Sequence, residues 1–119
     1  MAAQFTELVI DCADVARVAE FWAAVLDYSV LERSPDGIEI GAADGSRPTL
    51  VFVPVPEEKR VKNRVHIDVN PHGTDQAGEL QRLLALGARK VNVGQGPEVS
   101  WVVLADPEGN EFCLLRSTV

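Results

Sequence analysis

Apolar and polar residues alternate strictly in the segment Val-His-Ile-Asp-Val at residues 65–69, which places His66 and Asp68 together on one side. Such alternation is typical of a half-buried β-strand, because successive side chains of a strand point to opposite faces. The apolar side needs a core, and the polar side carries groups that can do chemistry. Residues 7–11, Glu-Leu-Val-Ile-Asp, show a related pattern near the N-terminus. The chain is therefore expected to contain two segments of similar design.

The pattern of apolar and polar residues in the first half of the chain predicts one strand, one helix and then three strands. Apolar residues between positions 15 and 26 recur at intervals of three and four, which gives a helix one wide apolar face. Asp14 precedes them and is a suitable N-cap, and a Pro-Asp-Gly turn separates the second and third strands. The predicted elements are a strand at 6–12, a helix at 14–26 and strands at 28–33, 38–42 and 49–53.

The second half repeats this order after a linker that is rich in Pro, Glu, Lys and Arg and has no regular period. Thr74 is expected to cap the helix and Gly87 to end it, with Ala77 and Leu83 facing inward and Glu79 facing water. The predicted strands lie at 65–69, 89–93, 99–105 and 111–116. The halves match at an offset of about sixty residues, which indicates a pair of related modules rather than a repeat array.

Composition and charge narrow the class of protein. With 119 residues, 46% of them apolar, the chain is long enough to form one domain with its own core. Eleven Lys and Arg against eighteen Asp and Glu give a net charge of −7, so its surface would repel nucleic acid. No signal-like segment or bilayer-spanning apolar run is present, so we expect a cytoplasmic location and no membrane partner.

The common catalytic motifs are absent from the sequence. Cys12 and Cys113 have no metal-binding or redox spacing, and the expectation for both is a small buried hydrophobic side chain. Ser46, Ser100 and Ser117 are not part of a Gly-x-Ser-x-Gly turn. Hydrolysis by a nucleophilic serine or cysteine is therefore not expected.

Several motifs do resemble those of a known superfamily. They are Val-Ala-Glu-Phe-Trp at 18–22, Asn-Arg-Val-His-Ile-Asp at 63–68, Leu-Leu-Ala-Leu-Gly-Ala at 83–88 and Asp-Pro-Glu-Gly-Asn-Glu-Phe-Cys at 106–113. Together they resemble the vicinal oxygen chelate superfamily, which includes glyoxalase I, extradiol dioxygenases and bleomycin-resistance proteins. The second and fourth motifs resemble its glyoxalase-like branch in particular.

The resemblance implies an α+β fold made of two pseudo-symmetric βαβββ modules. In this arrangement a curled mixed sheet forms a cup with the helices outside, and a small-molecule ligand binds in the cup, often in a homodimer. For this chain it implies one glyoxalase-like domain, with module one at 5–54, a linker at 55–63 and module two at 64–117.

The resemblance also implies four positions for the ligands of one divalent metal. By position these are Glu7, Leu50 or Val51, His66 and Cys113. Only Glu7 and His66 are typical ligands, because Leu50 and Val51 offer no donor atom and Cys113 replaces a carboxylate. The prediction is therefore that no metal or other cofactor binds. In the alternative, Glu7 and His66 bind Fe, Mn, Ni or Zn.

Five residues are predicted to line the ligand site, namely Glu7, His66, Asp68, Trp101 and Cys113. Purely structural roles stay open for two of them. Glu7 could be a solvated residue at the start of a strand, and Trp101 could be an ordinary core residue. Asp68 is expected to lie too far from His66 to orient its ring. The favoured function is small-molecule binding, with a metal-dependent lyase, isomerase or dioxygenase acting on vicinal oxygens as the alternative. Metal-free acid–base catalysis by His66 is a third possibility.

Overall fold

Two units, Met1–Glu58 and Lys59–Val119, make up the chain in the computed structural model, which describes all 119 residues. Unit one contains β1 (Glu7–Cys12), α1 (Val15–Leu26), β2 (Ser29–Ser34), β3 (Gly37–Gly41) and β4 (Thr49–Pro54). Unit two contains β5 (Ile67–Val69), α2 (Gln76–Leu86), β6 (Arg89–Lys90), β7 (Val102–Ala105) and β8 (Glu111–Leu114). The predicted fold class, α+β with two βαβββ modules, is confirmed. The assignment of both modules to one domain stays a prediction.

In unit one, the four strands form a mixed sheet in the order β1-β4-β3-β2. β1 and β4 are parallel, and the other neighbours are antiparallel. Helix α1 packs on β3 and β4, because its apolar stripe and alternate residues of both strands are buried together. This core contains Val18, Phe21, Trp22, Val25, Ile38, Ile40, Leu50 and Phe52. The opposite face of the sheet is left to polar side chains and valines.

In unit two, the sheet has the equivalent order β5-β8-β7-β6, again with a parallel pair, β5 and β8. Its buried side chains include Leu83, Val103, Leu104, Phe112 and Leu114. Neither of the two helices of the chain is long and apolar enough to cross a membrane.

Helix α2 differs from its prediction at the N-cap and on one face. Asp75, not Thr74, is the cap, and its side chain accepts a hydrogen bond from the Gly78 N–H at 2.8 Å. Glu79 is buried rather than exposed, because Arg82 donates two hydrogen bonds to its carboxylate, each 2.8 Å long. Ala77 is exposed, whereas Leu83 and Gly87 have their predicted roles.

The strands of unit two are shorter than predicted. β5 begins at Ile67 rather than at residue 65, and β7 begins at Val102 rather than at residue 99. Between β6 and β7, the side chain of Asn92 accepts from the Gly94 N–H and that of Gln95 from the Val93 N–H. These local hydrogen bonds satisfy backbone groups that a strand ladder would otherwise use, so the segment forms turns.

A tight turn connects β7 to β8 and aligns the strand that leads into the site. The side chain of Asp106 is fully buried and accepts from the N–H groups of Glu108 and Asn110, both at 2.9 Å. Its other oxygen accepts from the Asn110 side-chain amide at 3.0 Å. Gly109 has a φ of 91°, which favours glycine. The Asp-Pro-Glu-Gly-Asn motif therefore fixes where β8 begins.

Candidate functional site

A row of three paired residues crosses one face of the unit-two sheet. Asp68 on β5 pairs with Cys113 on β8, and Cys113 pairs with Val103 on β7. Directly paired residues of neighbouring strands point to the same face, so these three side chains are neighbours. They line a cavity of about 340 Å³. The remaining lining residues are Lys62, His66, Val93, Gly94, Gln95, Trp101, Glu111 and Leu115.

His66 and Asp68 form a close pair at this cavity. The His66 Nε2 lies 3.2 Å from the Asp68 Oδ1, and the two side chains are 45% and 47% exposed. The sequence prediction that Asp68 lies too far from the ring is therefore wrong. His66 and Asp68 line the same cavity, as the alternation predicts, but His66 stands before β5, so the strand ladder does not hold it at the spacing of alternate strand residues. Asp68 is in position to orient the imidazole of His66.

Cys113 lies at the base of the same group. It is 8% exposed, and burial raises the pKa of its thiol above the ordinary value, as do the charge of Asp68 and a hydrogen bond with it. The charge of Lys62 opposes this shift of the pKa. The thiol is therefore protonated at neutral pH and is a poor nucleophile, because the thiolate is the reactive form.

A strap of residues 59–66 brings Lys62 and His66 to the cavity, and Glu111 holds the strap. The Glu111 carboxylate accepts from the Lys59 Nζ and from the Asn63 N–H, both at 2.9 Å. Burial works to raise the pKa of Glu111, but these two hydrogen bonds and the charge of Lys59 outweigh it and lower the pKa. Glu111 is thus an ionised anchor that connects β8 to the strap.

Trp101 forms part of an apolar wall of the cavity. Its side chain is 41% exposed, and Val93, Val103 and Leu115 line the same cavity. The indole is therefore not plain core. A large aromatic side chain that is part buried and part open to a cavity can contact a ligand with its ring.

Glu7 lies in unit one, at the start of β1, and is exposed. It lines a small cleft of about 230 Å³ together with Glu32, Asp36 and Glu39. The carboxylate of Glu39 accepts a hydrogen bond from the Thr49 hydroxyl at 2.8 Å. The structure therefore brings together four of the five predicted site residues, and it places Glu7 in an acidic cleft of the other unit.

Sequence reasoning missed three polar residues of the cavity, namely Lys62, Gln95 and Glu111. Glu111 could have been found, because it lies two residues before Cys113 on the same strand and so shares its face. Lys62 and Gln95 lie outside the strands, where no periodicity indicates the direction of a side chain.

The donor atoms of His66, Asp68 and Cys113 fit a divalent metal. An imidazole nitrogen, a carboxylate oxygen and a sulfur all lie within 4.8 Å of one another. Nitrogen and sulfur donors suit Zn²⁺, Co²⁺, Ni²⁺ and Fe²⁺, and three protein ligands leave a further coordination position open. A metal held there would supply Lewis-acid polarisation of a bound oxygen.

Two βαβββ modules, with a cavity on the sheet of the second, define the class as that of small α+β domains of the vicinal oxygen chelate type. The model of the glyoxalase-like domain family matches residues 7–115, and the chain belongs to this family. The resemblance inferred from the sequence motifs is thereby confirmed.

Solved structures show the same fold at low sequence identity. The fosfomycin resistance protein FosX from Listeria monocytogenes, in complex with Mn(II) and a dihydroxypropylphosphonic acid, has a TM-score of 0.75 at 15% identity, covering 100% of this chain and 96% of its own. FosX from Mesorhizobium loti has a TM-score of 0.73 at 15% identity, with coverages of 100% and 95%. A glyoxalase/bleomycin resistance protein/dioxygenase family enzyme from Burkholderia phytofirmans has a TM-score of 0.67 at 18% identity, with coverages of 94% and 97%. No curated protein matches the sequence.

Proposed function

We propose that this protein binds a small organic molecule in the cavity of unit two, without the complete metal site of its superfamily. The observation that carries the proposal is the division of the cavity into an apolar wall and a polar group. Trp101, Val93 and Leu115 supply the wall, and His66 and Asp68 belong to the polar group. Concave sites of this composition are typical of small-molecule binding, because burial gives affinity and a few polar groups fix orientation.

The polar group indicates what the ligand offers at that end. With the Nε2 of His66 directed at Asp68, the Nδ1 of a neutral ring is left as an acceptor for a ligand hydroxyl. Lys62 adds an ammonium at the same cavity, which favours an anionic oxygen. The expected ligand therefore has an apolar body for the Trp101 wall and an oxygen-bearing, preferably acidic end for Lys62 and His66.

The fluorescence of Trp101 tests this proposal directly. Trp101 is part exposed at the cavity whereas Trp22 is buried in unit one, so a bound ligand should change the emission of Trp101 alone. The probes are a panel of apolar carboxylic acids, hydroxy acids and phosphonates, compared with neutral analogues of the same size. Trp101→Phe is the control, because it keeps Trp22 and should lose the response.

Two variants then separate the wall from the polar end. His66→Ala should weaken binding of an oxygen-bearing probe about tenfold, as expected for the loss of one or two hydrogen bonds. Lys62→Gln should reduce the preference for acidic over neutral probes. If no probe in the panel changes the Trp101 emission, or if His66→Ala binds as tightly as the parent protein, the proposed site is wrong.

A metal-dependent lyase, isomerase or dioxygenase acting on vicinal oxygens is the second candidate function. Two observations favour it. The donor atoms of His66, Asp68 and Cys113 lie within 4.8 Å of one another, and the Listeria FosX structure contains Mn(II). Elemental analysis of untagged protein, before and after exposure to Fe, Mn, Ni and Zn followed by desalting, tests it. Near-stoichiometric metal that is lost in His66→Ala would support this candidate, and metal-free protein under every condition would reject it.

A homodimer is part of the proposal, on the strength of the family resemblance and of the sheet edges. β1, β2, β5 and β6 are the outer strands of the two sheets, and outer strands are common sites of association. Light scattering should give a mass of twice 12.9 kDa, independent of dilution over the micromolar range. A mass of one chain at all concentrations would contradict it. The cytoplasmic location stays a prediction.

A further inference from the structure

We infer that His66, Asp68 and Cys113 bind one divalent cation of borderline softness, Zn²⁺ or Co²⁺, within unit two alone. This donor set shares His66 and Cys113 with the four positions that the superfamily resemblance implies, but it uses Asp68 in place of Glu7 and of the apolar position at Leu50 or Val51. Leu50 is buried and apolar, and Val51 has no donor atom. Asp68 instead supplies the carboxylate that position 113 lacks. The inference rests on the proposed function only in that both use the same cavity.

The geometry requires only small movements to form the site. Bonds of 2.0–2.3 Å in a tetrahedral site separate donor atoms by about 3.3–3.8 Å. The His66 Nε2 and the Asp68 Oδ1 are already 3.2 Å apart, and all three donors lie within 4.8 Å. The Cys113 backbone is paired on both sides and its side chain is buried, whereas the side chains of His66 and Asp68 are about half exposed and less restricted by packing. The small adjustments would therefore fall mainly on His66 and Asp68, on the exposed side of the cation.

The charges at the site balance a divalent ion. The Asp68 carboxylate and the Cys113 thiolate together carry two negative charges, and the thiol proton leaves to solvent as the ion binds. Glu111 adds no free charge, because Lys59 pairs with it at 2.9 Å. Lys62 lines the same cavity, and its positive charge would repel the ion. With the ion bound, its two positive charges are balanced by Asp68 and Cys113, and the charge of Lys62 makes the cavity net positive. A positive cavity again favours an acidic ligand.

The sulfur donor determines which metal is preferred. Thiolate ligands select Zn²⁺ and its neighbours in the transition series, whereas Mn²⁺ and Mg²⁺ prefer oxygen ligands. Cys113 lies where the superfamily resemblance places a carboxylate, so the preferred ion should shift away from Mn²⁺. Zn²⁺ and Co²⁺ should therefore bind more tightly to this protein than Mn²⁺ does.

Cobalt provides a test that needs no knowledge of the ligand or of any activity. Titration of the protein with Co²⁺ should saturate at one ion per chain and produce the near-ultraviolet charge-transfer absorption of a cobalt–thiolate bond. Zn²⁺ should displace the ion and abolish the absorption, and Mn²⁺ at the same concentration should not. Cys113→Ser should abolish the absorption as well.

Matched variants make the result specific. Cys12→Ser removes the other buried thiol, which lies in unit one, and should keep the full absorption. Asp68→Asn should keep the sulfur bond but weaken Co²⁺ binding about tenfold or more. Because Asp68 is half exposed, this variant should fold even if Cys113→Ser does not, and circular dichroism checks both.

The outcomes distinguish this inference from the proposed function. Absence of the cobalt–thiolate absorption, its persistence in Cys113→Ser, or unchanged affinity in Asp68→Asn would each overturn the cation site. The Trp101 fluorescence titration, repeated on metal-free protein, reports ligand binding independently. Ligand binding without cobalt binding would reject only the inference, and cobalt binding without any ligand response would reject only the proposed function.

Discussion

The two units have the same element order and equivalent strand pairing, but the non-core faces of their sheets carry different side chains. Both begin with an outer strand that is parallel to the last strand of the unit. Equivalent rows of three paired residues can therefore be compared directly. The row in unit one is Val9, Val51 and Glu39, and the row in unit two is Asp68, Cys113 and Val103.

This difference shows that the fold of each unit and the candidate site are specified by different residues. The buried face of each sheet keeps its apolar side chains, since these stabilise the unit. The other face is free to vary, so two donor-bearing residues in unit two stand where unit one has valines. The His66, Asp68 and Cys113 group is therefore a property of unit two, whereas unit one has the acidic cleft of Glu7 and Glu39, although the backbone pattern of the two units is shared.

The last connections of the two units provide the sharpest structural contrast and the largest predicted effect. Asp106 is fully buried in unit two and accepts three hydrogen bonds, whereas Asp44 in unit one is exposed and accepts from the Ser46 N–H. Asp106→Ala should lower the free energy of unfolding by about 3 kcal/mol, because it leaves buried donors without an acceptor. Urea denaturation followed by circular dichroism measures this.

Asp44→Ala is the matched control for the turn. Its carboxylate is exposed, so water replaces the lost acceptor and the urea midpoint should not change measurably. Equal destabilisation by Asp44→Ala and Asp106→Ala would show that the buried turn has no special structural role.

The two free cysteines, one in each unit, give the second test of the comparison. The charge of Asp68 helps to raise the pKa of Cys113, so Asp68→Asn should lower that pKa and increase the thiolate fraction at pH about 8. Alkylation of Cys113 by iodoacetamide should become several-fold faster. It should stay slower than that of a free thiol, because burial is the larger cause of the shift and is unchanged.

Cys12 is the internal control for this experiment. It is buried at the end of β1, in unit one, and its alkylation rate should not respond to Asp68→Asn. Peptide mass spectrometry resolves the two sites in one sample. An unchanged rate at Cys113 would mean that Asp68 does not influence the thiol.

Much of the fold could be predicted from the sequence because local signals and the apolar period agree. Asp14 caps α1, Gly87 ends α2, and alternation in β4 identifies Leu50 and Phe52 as the buried side chains. The shortened strands of unit two could not be predicted. Asn92 and Gln95 are ordinary strand or loop residues in sequence, and their hydrogen bonds to nearby N–H groups exist only in the folded turns.

The candidate site was less predictable than the fold, for two physical reasons. Alternation correctly placed His66 on the same side as Asp68, but it could not give their 3.2 Å approach, because His66 stands before the first ladder pair. Long-range contacts such as that between Lys59 and Glu111, far apart in the sequence, leave no periodic signal. Motif resemblance found His66 and Cys113, but only the three-dimensional arrangement shows Asp68 beside both.

The strap of residues 59–66 gives the smallest predicted effect and a pH dependence that belongs to unit two. The lowered pKa of Glu111 means that its ionised form favours the folded state. Its contribution to stability is therefore present above the ordinary pKa of 4.5 and is lost as the pH falls through the lowered pKa of the folded state. Glu111→Gln should remove this pH-dependent contribution.

The measurement is the free energy of unfolding of Glu111→Gln and of the parent protein between pH 7 and about 3. The parent should be slightly more stable above pH 4.5, and the two curves should converge as the pH falls below that value. Glu57→Gln, an exposed glutamate of unit one, should follow the parent throughout. If the difference in unfolding free energy between the two proteins stayed constant at every pH, the ionisation of Glu111 would not contribute. Glu111 would then stabilise the strap by its shape and hydrogen bonds alone, because only a change of charge makes the difference depend on pH.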